Sequence, residues 1–402
     1  LLHSVSYKLL SKLSPSEEQS QIFRYNCLVW KIFGIWSPES GPKILYKWYS
    51  VTFLLTMLFV YNLLLSINLL YTPRKIDLMV REVIFFFTEM AVTAKVITVL
   101  HMRKEVQETF TRLDSDILKR DDETSKTIVN EGYKAYMKFY VFFLSCSNAV
   151  LIVLFSQSLS EMVLPVCKYY FLADDVRDKY FLFLFIYQAF GMYVHMLYNV
   201  HMDTYMSGLI WMAVLQINIL KHKLYNLRLS ENDLLLPKDE QEKAMLNKLD
   251  TYLRQYDFIL SYCQLVQRIT NVAMFVQFGV ASAIICVVLY GLVLSTATET
   301  RIFMVLYLIA MSIEIIVPGL IGSELTYEVR GRNLVTAAFN CDWILRTEKF
   351  KRNLRLLVER ANKPILLFGM KMFPLSLGSV TSIIKTILLE NKCFSSCTAT
   401  II

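Results

Sequence analysis

The sequence predicts an all-α membrane protein with seven transmembrane helices, the N-terminus cytoplasmic and the C-terminus extracellular. Three observations carry this. Of 402 residues, 55% are hydrophobic and 19% charged, with a mean hydropathy of +0.42; a soluble domain holds about 45–50% apolar and about 25% charged residues. Uncharged stretches long enough to cross about 30 Å of hydrocarbon, roughly 20 residues, recur along the chain. The basic residues are also divided unevenly between alternate loops. A soluble globular enzyme is excluded.

The spans follow in order. Every residue between Lys47 and Arg74 is uncharged, and Trp48–Leu70 is the first span. The second, Val83–Leu100, carries Glu89 and Lys95. The third lies in Phe139–Ser160, and the fourth begins at Tyr180 and meets no charge until Asp203. The fifth is Asn271–Ser295. The sixth, Ile302–Ile321, contains Glu314 and is expected to end around Pro318-Gly319. The seventh, 364–389, is interrupted by Lys371, Pro374 and Lys385; Pro374 removes a backbone donor and, with Gly369 and Gly378 nearby, favours a broken helix. A packing kink in a bundle is the plainer reading of that break.

Two segments outside the spans also read as helical. Leu209–Leu227 continues the fourth span without a breaker, and 243–268 carries an apolar stripe at Met245, Leu249, Leu253, Ile259 and Leu260. Leu234-Leu235-Leu236-Pro237 separates them, which gives a helical hairpin below the membrane. The resulting organisation is an N-terminal segment 1–47, helices 1–4 over 48–200, the hairpin 201–270, helices 5–6 over 271–321, a segment 322–363, helix 7 over 364–389 and a tail 390–402. The chain begins at Leu1 rather than Met, and its start lacks the apolar core and cleavage site of a signal peptide, so the first span is expected to serve as the insertion signal.

Charge sets the orientation. On one face, residues 1–47 and the segments 101–138, 201–270 and 322–363 hold 6, 8, 8 and 9 Lys+Arg, a total of 31. On the other, 71–82, 160–179 and 296–301 hold 3, 3 and 1, a total of 7. Basic residues favour the cytoplasmic side. The ordinary G-protein-coupled receptor, with its N-terminus outside, is opposed by this pattern, and Asp-Arg-Tyr and Asn-Pro-x-x-Tyr are absent. Such a receptor or a transporter remains the alternative class.

Other chemistries find no support. No basic face with interleaved aromatics indicates nucleic acid, and the eight cysteines form no Cys-x-x-Cys pair. His195 and His201 are six apart, roughly opposite on a helix, and there is no His-Glu-x-x-His, phosphate loop or nucleophile elbow. No catalytic residue, metal or cofactor is expected. Lys95 is expected to snorkel to the interface. Glu89 and Glu314 are functional candidates or else carboxyls protonated and hydrogen-bonded within the bundle.

A family resemblance rests on the C-terminal third. Gly322, Glu328, Ala338, Phe339 and Trp343 precede the last span; Pro364, Phe373-Pro374-Leu375-Ser376-Leu377 and Ser382-Ile383-Ile384-Lys385-Thr386 follow. Phe33-Gly34-Ile35-Trp36 with Pro38 precedes the first. This pattern resembles the insect odorant receptors. The resemblance implies an odour-tuning subunit of a non-selective cation channel, forming a heterotetramer with the odorant receptor co-receptor in the plasma membrane of an olfactory neuron's dendrite. The last helix would line the pore, with Pro374, Ser376, Ser382 and Lys385 on it. After Thr386 the sequence departs from the family, running Ile387-Leu388-Leu389-Glu390-Asn391-Lys392 into a Ser/Thr-rich tail, as a translation past a splice site or a non-functional allele would.

The resemblance also places a volatile ligand among helices two, three, four and six in the outer half of the membrane. Helical spacing there selects Phe86, Phe87 and Met90 on helix two, then Asn148, Ile152 and Phe155 on helix three. It selects Phe183, Tyr187 and Gly191 on helix four, and Phe303, Met304 and Tyr307 on helix six. Gly191 is expected to leave room beside Tyr187. Aromatic and thioether groups suit an apolar ligand, although aromatics at this depth also serve as lipid-facing belt residues.

Overall fold

The computed structural model describes residues 18–37, 43–74, 76–119, 122–294, 298–330, 332–362, 365–370 and 372–386. After a 3₁₀ turn at Gln19–Phe23 come α1 (Arg24–Ile32), α2 (Lys43–Tyr71), α3 (Ile76–His101), α4 (Arg103–Leu113) and α5 (Glu123–Ser160). Then follow α6 (Asp174–Lys179), α7 (Phe181–Tyr225), α8 (Glu231–Leu234), α9 (Lys238–Leu294), α10 (Thr298–Arg330), α11 (Arg332–Phe339) and α12 (Glu348–Ala361). Strands β1 (Phe368–Gly369) and β2 (Phe373–Pro374) pair antiparallel, and α13 covers 377–386. Among the described residues, α2, α3, α5, α7, α9 and α10 are long and apolar enough to cross a membrane.

α7 is the mast of the bundle. Its 45 residues span about 68 Å at 1.5 Å per residue, and from Val194 to Ala213 nearly every side chain is buried, hence its apolar character on all sides. It packs against α3, α5, α9, α10 and α11. α9 is one helix of 57 residues, so the expected hairpin is formed by the ends of α7 and α9 with α8 between them. There the Lys248 ammonium, 2.6 Å from the Asp233 carboxyl, holds that group down to about 2 with help from Ser230.

Two expectations change. α10 does not end at Pro318-Gly319 but runs through Pro318 to Arg330. Pro318 cannot donate to the Glu314 carbonyl four residues earlier, and Gln277 Nε2 on α9 supplies that hydrogen bond instead at 2.8 Å. The break expected inside the last helix is a strand pair, Phe368↔Pro374 and Gly369↔Phe373. Pro374 therefore lies before the helix, where its missing donor interrupts no ladder. Pro364, Lys371 and the tail 387–402 lie outside the described residues.

Glycine lets the strand pair reach α10. A Cβ on Gly322 would stand 2.3 Å from the Leu375 carbonyl oxygen, and one on Gly319 would stand 2.6 Å from Val380. At the other junction, Gly34 adopts φ +80, which turns the chain from α1 towards α2. The carbonyls left open around this C-terminus are met by side chains of α2 and α7. Tyr46 donates to Lys31 and Trp36 at 2.8 Å, Tyr49 to Ile32 at 2.5 Å and Tyr198 to Phe33 at 2.7 Å, while Ser50 donates to Gly34.

Candidate ligand-binding site

A cavity of about 60 Å³ lies between α3, α5, α7 and α10. Each helix presents one face to it, visible in the spacing: Thr88, Glu89 and Val92; Ser147, Val150 and Leu151; Met192, His195, Met196 and Asn199; Tyr307, Ala310, Met311 and Glu314. Valine, leucine and three methionines form the apolar wall. Room for a few waters is well under the roughly 300–1,000 Å³ usual for ligand pockets. Met192, Met196 and Met311 can change rotamer to admit something larger, because an unbranched thioether has three soft torsions.

The polar lining falls into three hydrogen-bonded groups. His195 Nδ1 pairs with Glu89, and His195 Nε2 donates to the Met57 carbonyl at 2.5 Å. That carbonyl lies in the π-helical turn Leu55–Val60 of α2, where the helical ladder is locally rearranged. Lys95 is fully buried, with Nζ 2.6 Å from Asp203, 2.7 Å from Asn199 Oδ1 and 3.8 Å from Glu314. Asn199 Nδ2 donates to Glu314 at 2.5 Å. The Tyr307 and Thr88 hydroxyls bond each other. Lys95 does not snorkel: Asp203 one bundle layer below the cavity compensates its charge in place.

The 161–173 segment folds over this end of the bundle. Leu164, Val166, Cys167 and Tyr169 are buried. Gln188 of α7 accepts from Val166 and Cys167 at 3.0 and 3.2 Å and donates to the Cys167 carbonyl at 2.9 Å. Arg81 of α3 donates to Pro165 at 2.7 Å. These bonds satisfy a buried loop backbone that would otherwise be unpaired.

Of the twelve residues expected around a ligand, Tyr307 is on the cavity wall. Phe303 and Met304 are buried beside it, with Phe303 against Phe85 and Tyr307 at ring separations of 6.0 and 5.6 Å. Gly191 is buried next to Met192, and the ring it accommodates is Tyr61 rather than Tyr187: an added Cβ would stand 2.4 Å from it. Tyr187 is half-buried and donates to the Thr56 carbonyl at 3.1 Å. Asn148 bonds within its own helix to Leu144 at 2.7 Å. Phe86 and Phe155 are half-buried, whereas Phe87, Met90, Ile152 and Phe183 are exposed on the outer surface of the bundle.

Sequence reasoning missed His195, Asn199, Asp203 and the methionines. A signal was present: Gln188, His195, Asn199 and Asp203 stand 7, 4 and 4 residues apart, which puts them on one face of the fourth span. In the last segment, Pro374 sits in β2, and Ser376 caps α13, its hydroxyl accepting from Ser379 N at 3.2 Å. Ser382 and Lys385 are exposed on α13. No group of three metal-ligating side chains occurs among the described residues.

A family model for the 7tm odorant receptors matches residues 75–388. The chain belongs to the 7tm odorant receptor family. It is 21% identical over 379 residues to Odorant receptor 2a of Drosophila melanogaster, covering 90% of this chain and 93% of that one. Odorant receptor 30a of the same fly is 20% identical over 280 residues, 68% of this chain and 70% of that one. The fold matches the insect olfactory receptor OR5 of Machilis hrabei at a TM-score of 0.79 with 14% identity, over 91% of this chain and 95% of that one. The same receptor in complex with eugenol matches at 0.78 with 15% identity, again over 91% and 95%. This odorant receptor is thus a multi-pass helical membrane protein, and its relatives are receptors rather than enzymes.

Proposed function

We propose that this receptor is the odour-tuning subunit of an odorant-gated, non-selective cation channel, assembled with the co-receptor in the plasma membrane of a sensory dendrite. The observation that carries the reading is the cavity between α3, α5, α7 and α10, apolar on its methionine side and polar on the other, where Glu89 and Glu314 are already engaged by His195 and Asn199 and the hydroxyls of Thr88, Ser147 and Tyr307 join them. Small volatiles are largely apolar with one or two polar atoms, which matches such a wall. The Machilis relative of the same fold is known in complex with eugenol. The basic excess, 31 against 7, favours a cytoplasmic N-terminus. α13 follows the strand pair that holds it against α10, and it is the element proposed to line the pore.

Co-expression with the co-receptor, followed by volatile-evoked current across a broad odour panel, tests the reading. Current dependent on both subunits is expected. A receptor that reaches the surface with the co-receptor yet alters conductance with no volatile overturns it. Tags at the two termini, probed on intact cells, test orientation independently, and an exposed N-terminal tag defeats it.

A further inference from the structure

At the opposite end of the bundle from the 161–173 segment lies a groove of about 910 Å³ whose lining carries five cations, Arg24, Lys31, Lys43, Arg103 and Lys104, against one carboxylate, Asp114. They come from three elements: α1 supplies the first two, the first turn of α2 supplies Lys43, and the first turn of α4 supplies the pair at 103–104. Asp114 already accepts from Ser20 N at 2.9 Å. Among the described residues no carboxylate pairs with Arg24, Lys31, Lys43 or Lys104. Arg103 donates to the Ile35 carbonyl, but its buried Nε has no hydrogen-bond partner. Five like charges in one concavity repel one another unless an anion joins them.

The position of the groove identifies the anion's source. Lys43 opens the first span, and Arg103 and Lys104 follow directly on the second, so the groove sits at a membrane surface. Its rim is apolar. Leu28 and Ile32, both 51% exposed, lie one turn apart on α1 beside Arg24 and Lys31. Ile44, Leu45 and Trp48 are exposed on the first two turns of α2. A free phosphate compound needs no such neighbours, whereas a lipid places its headgroup on the cations and its acyl chains along apolar side chains at the membrane surface. A phosphomonoester carries nearly two charges and accepts the planar fork of arginine. A headgroup with two monoesters matches five cations, and a phosphatidylserine headgroup, with one net charge, does not.

We infer that this groove binds the headgroup of a phosphatidylinositol bisphosphate in the cytoplasmic leaflet. The inference uses the proposed orientation but is independent of the ligand cavity. Purified full-length receptor in phosphatidylcholine nanodiscs is titrated with dioctanoyl phosphatidylinositol 4,5-bisphosphate, dioctanoyl phosphatidylserine and soluble inositol trisphosphate. Saturable binding of the bisphosphate lipid is expected, at least tenfold tighter than either other probe. Arg24→Gln with Lys31→Gln and Lys104→Gln weakens it at least tenfold. Neutralising Lys349, Arg352 and Arg355, exposed on α12 at the same end of the bundle, changes it less than twofold. Equal thermal midpoints establish that the variants fold, and the single exposed change Lys104→Gln, expected to weaken binding several-fold, serves if the triple variant does not. Absent saturation, equal loss in the α12 variant, or equal affinity for soluble inositol trisphosphate each overturns the assignment.

Discussion

The side-chain amide of Gln277 donates at 2.8 Å to the main-chain oxygen of Glu314, the one carbonyl of α10 that Pro318 cannot bond. Both residues are buried, at 1% and 7% exposure. A proline in mid-helix is tolerated inside a membrane when a neighbouring helix restores the lost bond, and α9 does so here. The same residue whose carbonyl is repaired sends its carboxylate towards Asn199 and Lys95 at the cavity between α3, α5, α7 and α10. The continuity of α10 and the shape of the polar lining therefore share one hinge of hydrogen bonds.

Gln277→Leu should cost about 1–3 kcal/mol, the usual penalty of an orphaned buried acceptor. In a Pro318→Ala background the backbone N–H returns, and the same change should cost less than about 1 kcal/mol. Unfolding of the four purified proteins measures the coupling. Equal costs in both backgrounds would show that the amide does not serve that carbonyl.

Lys95→Met should be severely destabilising, by about 3–5 kcal/mol, because Asp203 and Glu314 then share a buried site without a cation. Adding Asp203→Asn should recover part of the loss. Surface biotinylation of the single and double variants reports it. Normal surface levels for Lys95→Met alone would contradict a buried pair.

The first six spans were legible because charge-free length is a strong signal; of the expected seventh, 364–389, only 377–386 is a described helix. The helical continuation of the fourth span was legible because nothing in Leu209–Leu227 breaks it. The rotation of each helix was not. In a bilayer the lipid-facing and bundle-facing sides are both apolar, so Phe183 and Ile152, exposed to 70% and 65%, read no differently from buried Leu154. Polar residues break that tie, and the stripe from Gln188 to Asp203 is the feature that orients α7. Lys95 was read as snorkelling because its partner lies on another helix, beyond the reach of local spacing.

Met192→Ala should enlarge the cavity and shift the response towards bulkier volatiles, by about tenfold in relative sensitivity, since one methylene of fit is worth about 1–3 kcal/mol. Tyr307→Ala should likewise alter odour sensitivity without loss of surface assembly. Ile152→Ala and Phe183→Ala, on the outer surface, should leave the odour ranking unchanged. Dose–response curves with the co-receptor make the comparison. Unchanged responses for Met192→Ala and Tyr307→Ala with altered responses for the outer pair would move the ligand out of this cavity.

Two glycines of long helices separate close packing from helix propensity. Gly322 of α10 lies where an added Cβ would be 2.3 Å from the Leu375 carbonyl oxygen, and main chain cannot rotate away as a flexible side chain can. Gly322→Ala should therefore push the strand pair and α13 off α10, lowering stability by about 1–3 kcal/mol as overpacking does. Odour-evoked current should fall further than surface level, because α13 is the proposed pore element. Gly279 of α9 has no atom within 4 Å of such a Cβ, so Gly279→Ala should stabilise the helix by up to about 1 kcal/mol. Thermal midpoints with paired current and surface measurements distinguish the two. If Gly322→Ala matches Gly279→Ala in both, the contact between α10 and the last segment is not as close as described.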